Sequence, residues 1–220
     1  FGTSNGLTKY DVKKEEFKTY LTLKKTPLQI EKITVDNDGN LWLASLTSGL
    51  LIFNPTTEKF SLPPFSLPSK KILSVYVAEN NDLFLNTEDR GLFQYQYKIK
   101  QWKKVILPFY KGIKGSILKI SSFEKDKLLF CSTIGVFEYS LITSEIYQKF
   151  KVLNNEYGKL GITDIYLTKN KDWLISSGNN GLFTIKSDGT IFRSSEDIFQ
   201  KNALINNKIN ILFKDNFGTF

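Results

Sequence analysis

The sequence predicts an all-β chain: a β-propeller assembled from four-stranded antiparallel blades. Three observations carry this. A Gly-Leu or Gly-Val pair recurs at Gly6, Gly49, Gly91, Gly135 and Gly181, at intervals of 43, 42, 44 and 46 residues. A short apolar segment precedes each of the last four glycines: Leu41 to Ala44, Leu83 to Leu85, Leu128 to Phe130 and Trp173 to Ile175. Upstream of these segments lie further β-type stretches, Ile33 to Val35, Ile72 to Val75, Ile117 to Ile120 and Ile162 to Ile165. A period of about 40–45 residues with four short strands per unit is the signature of a propeller blade. Four short strands joined by hairpins cannot cover both faces of their own sheet, so each unit needs a neighbour on either side.

The copy from Ile30 to Phe60 shows why each strand forms. Ile33 and Val35 alternate with polar neighbours, as in a half-buried strand A. Asp38-Gly39 supplies the positive φ of a tight hairpin turn. Leu41 to Ala44 is nearly continuous in apolar residues, so strand B is expected to be buried on both faces. Thr47-Ser48-Gly49 turns the chain, Leu50 to Phe53 forms strand C, Asn54-Pro55 stops it, and Lys59-Phe60 begins strand D.

The rest of the chain follows this template in order. Phe1 to Thr3 reads as the end of a strand B, Leu7 to Tyr10 as a strand C and Phe17 to Leu21 as a strand D. Lys24 to Pro27 crosses to the copy already described, and the stiff Pro63 to Pro68 segment crosses out of it. Ile72 to Trp102 is a blade, Pro108 to Gly115 a crossover, Ile117 to Phe150 a blade, Leu153 to Gly161 a crossover. Ile162 to Phe192 is the last complete blade, with its outer hairpin at Asp188-Gly189. Glu196 to Ala203 reads as locally helical, and a final strand A begins at Ile209. The repeats thus fall at about 1–27, 28–69, 70–115, 116–160, 161–205 and 206–220: four complete blades and two partial ones. The last strand A could join the N-terminal fragment into a five-bladed ring, or the chain could be part of a larger ring. Because it starts within a blade, an upstream segment of the natural protein is expected.

The stretch Ile30 to Leu50 has the form I-x-x-I-x-x-D-x-x-G-x-L-W-x-(G/A)-(T/S)-x-x-x-G-L. This resembles the two-component regulator propeller repeat, found in the periplasmic sensor regions of hybrid two-component regulators of gut Bacteroidetes. Gly2 to Leu7 matches the second half of the motif. The third to fifth copies depart from it: Asn80-Asn81-Asp82 replaces the D-x-x-G turn, and Phe84 and Leu129 stand where Trp is expected. The resemblance implies a portion of a seven-bladed ring, outside the cytoplasm, in a membrane-anchored and homodimeric parent. It also implies that an oligosaccharide is sensed there and reported to a cytoplasmic histidine kinase controlling polysaccharide-utilisation genes. No kinase element is in this chain.

Composition narrows the chemistry. With 220 residues the chain can bury a sizeable core, and no apolar run of about 18 residues is present to span a membrane. The single cysteine, Cys131, excludes an intrachain disulfide and sits in an apolar strand, where it reads as a small buried hydrophobe. The absence of histidine removes Ser-His-Asp and Cys-His catalytic sets and histidine metal sites. Asp36 to Asn40 begins like a calcium loop, but Leu41 and Thr47 stand where Gly and a bidentate Glu are required, so the hairpin reading is preferred. Lys111 to Ser116 lacks the spacing of a phosphate loop. Trp42 and Trp173 read as blade-packing residues. No catalytic set and no cofactor are expected; a propeller lyase or glycosidase and a protein-binding scaffold are the alternatives to a sensor.

Candidate ligand-binding residues come from loops, which carry function on rigid scaffolds. The B–C loop of the third copy contributes Asp89 and Arg90, and that of the fifth contributes Asn179 and Asn180. The crossovers expected on the same face contribute Tyr110 and Tyr157, whose rings suit sugar faces. The net charge is +8, yet the lysines form no basic segment interleaved with exposed aromatics, which argues against nucleic acid. They recur instead at crossovers, Lys24, Lys25, Lys70, Lys71, Lys111, Lys114 and Lys159. Together they would draw an acidic ligand toward that face, or simply keep sheet edges solvated.

Overall fold

The computed structural model describes residues 1–20, 28–108, 112–197 and 203–215. Two compact units divide the chain, Phe1–Ile106 and Leu107–Phe220.

The first unit holds three sheets. The first is three-stranded: β1 (Gly2–Thr3), β2 (Gly6–Asp11) and β3 (Glu16–Tyr20). The second runs β4 (Lys32–Val35), β5 (Leu41–Ser45), β6 (Gly49–Asn54) and β7 (Lys59–Ser61). The third runs β8 (Ile72–Val77), β9 (Leu83–Thr87), β10 (Gly91–Gln96) and β11 (Gln101–Val105). All pairings are antiparallel between sequence neighbours, as hairpin-linked blades require. The sheets pack face to face. Leu7, Tyr20, Leu28 and Ile30 meet Leu43, Leu51 and Phe53 of the second sheet. The other face of that sheet, with Trp42, Ala44 and Leu50, meets Ile72, Val75, Leu85 and Tyr95 of the third. Strand β5 is therefore buried on both faces, as its apolar run predicts. Phe65, from the proline-rich crossover, wedges between the blades. Its ring lies 4.1 Å from Tyr95 and 5.5 Å from Trp102, and Trp102 Nε1 donates to the Ser66 carbonyl at 2.8 Å.

The second unit holds two four-stranded sheets and a short helix. One sheet runs β12 (Ile117–Glu124), β13 (Lys127–Ser132), β14 (Gly135–Ser140) and β15 (Ile146–Lys149). The other runs β16 (Ile162–Leu167), β17 (Trp173–Ser177), β18 (Leu182–Ile185) and β19 (Ile191–Ser194). Leu129, Cys131 and Val136 of one pack on Ile162, Ile165, Ile175 and Phe183 of the other. Their first strands are tied by Asp164, whose carboxylate accepts from Lys119 Nζ on β12 and, at 3.0 Å, from the Leu212 backbone N–H.

Two elements differ from expectation. The crossover after β15 contains helix α1 (Lys151–Tyr157). Phe150 at its N-cap makes no side-chain cap, so local sequence offers little start signal. Burial of Leu153 beside Leu160, and Asn154 bonding to the carbonyls of Ile134 and Gly158, hold the turn instead. The segment from Ile209, expected as a strand A, is not strand in the described residues up to Asp215. It nevertheless follows the sheet, through Ile209 N–H to the Ser177 carbonyl at 3.0 Å. The expected helix at Glu196 to Ala203 falls largely outside the described residues, and its flanks form an isolated parallel bridge, Glu196 to Leu204.

Candidate functional site

The motif residues build the loops. The hydroxyl ending each strand B closes the B–C loop in every copy. Thr3, Thr87, Ser132 and Ser177 each donate to the carbonyl of the glycine that follows (Gly6, Gly91, Gly135, Gly181) and accept a loop N–H. Ser45 accepts from the N–H groups of Thr47 and Ser48. The five recurring glycines all have positive φ, from 76° at Gly49 to 135° at Gly6, which disfavours any residue with a Cβ. At Gly181 that Cβ would also lie 2.2 Å from the Ser194 carbonyl oxygen. In the A–B turn, Asp36 accepts from the N–H groups of Asp38 and Asn40, at 3.0 and 2.8 Å, and from Trp42 Nε1 at 2.9 Å. These residues are scaffold.

Within each sheet the A–B and C–D turns share one end, while the B–C loop and the crossovers share the other. At the second end, loop and crossover touch. Glu88 N–H donates to the Lys71 carbonyl, Thr133 N–H to Ser116 and Gly178 N–H to Gly161.

In the first unit the acids of the third copy's B–C loop are held by the preceding crossover. Asp89 accepts from the Ser69 hydroxyl at 2.6 Å, which holds its carboxyl below the usual range, and lies 3.7 Å from Arg90 Nε. Lys71 is paired with Glu88 at 2.8 Å, so one of the crossover lysines is already neutralised. Lys70 is exposed.

In the second unit the loop of the fifth copy behaves differently. Asn180 lies beside Tyr157 of α1 through a residue that sequence reasoning missed, Arg193 on β19. Arg193 Nε donates to the Asn180 carbonyl at 2.8 Å, and its guanidinium carbon sits 5.4 Å from the centre of the Tyr157 ring. That ring is propped edge-on against buried Phe183 at 5.0 Å, and Phe183 is the register partner of Arg193. The loop floor is pinned by Gly181 N–H to the Asn207 carbonyl at 2.8 Å. Asn179 is exposed at the tip. Arg193 escapes a sequence reading because it stands on a fourth strand, which reads as outer and solvated. One signal is available: Arg90 and Arg193 are the two arginines of a chain otherwise dominated by lysine. Lys114 and Lys159 are exposed. Tyr110, Lys24, Lys25 and Lys111 lie outside the described residues.

Cys131 is fully buried, and desolvation, with the Asp164 carboxylate nearby, pushes its thiol up to about 12. Among the described residues no group of three His, Cys, Asp or Glu side chains could hold a metal ion. No described helix is long and apolar enough to cross a membrane.

The fold and loops together define four-stranded antiparallel blades of the propeller type. No protein-family model and no curated protein matches the chain. Solved structures do. The extracellular domain of the hybrid two-component system BT3049 from B. thetaiotaomicron aligns over 98% of this chain and 29% of its own, with TM-score 0.78 and 18% identity. That of BT4673 from the same organism aligns over 99% of this chain and 28% of its own, with TM-score 0.77 and 22% identity. A virginiamycin B lyase from Staphylococcus aureus, in a catalytically inactive form altered at a histidine, aligns over 76% of this chain and 55% of its own, with TM-score 0.54 and 14% identity. The chain therefore shares the fold of these domains and spans under a third of the two-component examples.

Proposed function

We propose that this chain is a stretch of an extracytoplasmic ligand-sensing propeller, belonging to a membrane-anchored two-component regulator that detects an oligosaccharide. The observation that carries the reading is the alignment of nearly the whole chain with extracellular domains of two such systems. The loop chemistry supports it: each sheet is built from buried hydroxyl, glycine and apolar positions, while amides, an aromatic ring and cations stand at one end. In this reading the array continues into a larger ring, the full protein is a homodimer, and ligand binding on the loop face is relayed to a kinase that controls glycan-use genes.

The lyase shows that the same scaffold can carry catalysis. This chain has no histidine to replace the one altered in that inactive form, which favours binding over turnover. The test is twofold. The complete gene should encode a membrane-spanning segment and a kinase downstream of the propeller. Its extracytoplasmic region, titrated calorimetrically with an oligosaccharide panel, should bind one class without consuming it. A gene lacking any signalling domain, or release of cleaved product, would refute the proposal.

A further inference from the structure

Three groups at the loop end of the fifth sheet have no hydrogen-bond partner among the described residues. They are the terminal nitrogens of Arg193, the Tyr157 hydroxyl and the Asn179 side-chain amide. In the equivalent loop of the third copy the acids are engaged, Asp89 by the Ser69 hydroxyl and Glu88 by Lys71, and Arg90 lies 3.7 Å from Asp89 through its Nε. Arg193 is also held in place. Its Nε is engaged by the Asn180 carbonyl, its guanidinium carbon lies over the Tyr157 ring at 5.4 Å from the centre, and Tyr157 packs edge-on against Phe183. No described carboxylate forms an ion pair with it.

A guanidinium held at Nε and by a cation–π contact, with its terminal N–H groups on an exposed side chain, matches a planar or tetrahedral oxyanion in two-point fashion. Such a fork loses little conformational freedom on binding, so more of the interaction survives as affinity. The cation–π contact with tyrosine favours this placement of the cation without neutralising it. We infer that Arg193, positioned by Asn180 and Tyr157, is the receiver for an anionic substituent of the ligand, a uronate carboxylate or a sulfate ester on a sugar. Asn179 and the Tyr157 hydroxyl then bond neighbouring hydroxyl groups. The inference rests on the ligand-sensing reading and narrows its ligand to acidic glycans. It also assigns the selectivity to one arginine; the diffuse excess of lysine sets only the long-range field.

The experiment uses the complete extracytoplasmic region, titrated with a uronate oligosaccharide, a sulfated oligosaccharide and an uncharged glucan oligomer. Binding of an acidic member is expected, and the two acidic arms separate carboxylate from sulfate. Arg193→Gln should weaken that binding at least tenfold, and Arg193→Lys should restore only part of it, because a point charge cannot make the two-point contact. Lys169→Gln, with the same charge change on the A–B turn at the opposite end of the sheet, should leave it within twofold. A readout independent of affinity is available: the Arg193 side-chain N–H signal, assigned in the complete region by its loss in Arg193→Gln, can be followed by NMR and should shift on addition of the acidic sugar. Binding of the uncharged glucan alone, unaffected by Arg193→Gln, overturns this inference and leaves the sensing reading intact. Equal losses for Arg193→Gln and Lys169→Gln also overturn it, in favour of general electrostatics. Failure of every oligosaccharide to bind refutes both.

Discussion

Asp36 offers a sharp test of how the repeat motif works, because it links a turn to the packing between blades. Its carboxylate takes two backbone N–H groups, the Asn40 amide at 3.1 Å and the Trp42 indole at 2.9 Å. Trp42 is 8% exposed and packs against the neighbouring sheet. Replacing Asp36 with Ala leaves the indole N–H buried without an acceptor, at about 1–3 kcal/mol, and releases turn N–H groups that water can partly reach, at about 0.5–1.5 kcal/mol each. A loss of about 2–4 kcal/mol is expected on the same scale. The copies suggest the compensating change. In the third copy Ala78 stands in the Asp36 position and Phe84 in the Trp42 position, so acceptor and donor are absent together. Trp42→Phe should therefore cost less in the Asp36→Ala background, with a coupling of about 1–2 kcal/mol in a double-mutant cycle. The assay is urea unfolding with the slope held constant. The pH dependence supplies a second arm. Burial raises the Asp36 pKa, but the bonds from Trp42, Asn40 and the backbone outweigh it and leave it lowered. A lowered folded value means stabilisation that is present above the unfolded carboxylate pKa of about 3.9 and is lost as pH falls through the folded value. The gap between wild type and Asp36→Asn should then narrow below about pH 4. An Asp36→Ala shift under about 0.5 kcal/mol, or no coupling to Trp42, would refute the reasoning.

Other outcomes follow from the second unit. Asp164, with 2% of its side chain exposed, should cost about 3–5 kcal/mol when changed to Ala, since Lys119 and the Leu212 N–H lose their acceptor; chemical denaturation measures it. Ser132→Ala removes the bond to the Gly135 carbonyl at 2.7 Å and should lower stability by about 1–2 kcal/mol, read by the same assay. Cys131, buried and with its thiol pushed up to about 12, should stay unmodified by a thiol reagent at about pH 8 in the folded protein and react fully in urea; fast native-state labelling would contradict the packing.

The strands were legible because their signals are backbone requirements. A glycine at positive φ after strand B is needed in every copy, so its spacing survives even where the A–B turn degenerates. There Asn81, Lys171 and Asp126 take positive φ, at 67°, 63° and 61°, without glycine. The acids of these turns take a different role. In the third copy Asp82 accepts from Gln94 and the Tyr97 N–H, and in the fifth Asp172 accepts from Lys186 and the Ser187 N–H. A motif match scores these turns as departures, yet their acids tie the A–B turn to the C–D hairpin, while Thr168, at the Asp36 position, still accepts the Asp172 N–H at 3.0 Å. Helix α1 was not legible for the opposite reason. Its stability comes from Leu153 and Asn154 reaching into residues distant in sequence, and its N-cap carries no signal.

The two candidate loops show where sequence reading stops. Asn86 to Arg90 and Gly178 to Asn180 look alike as polar turns. Structure distinguishes them, because polarity in a sequence does not say whether a group's partner is internal. Asp89 has Ser69 and Glu88 has Lys71, both supplied by the preceding crossover. Asn180 has Arg193, supplied by a strand 13 residues on, and that contact engages the loop carbonyl while leaving the cation's outer nitrogens exposed. A binding surface is made by groups that the fold orients but does not satisfy. Finding them requires the register that places Arg193 opposite Phe183 and the helix that brings Tyr157 over it.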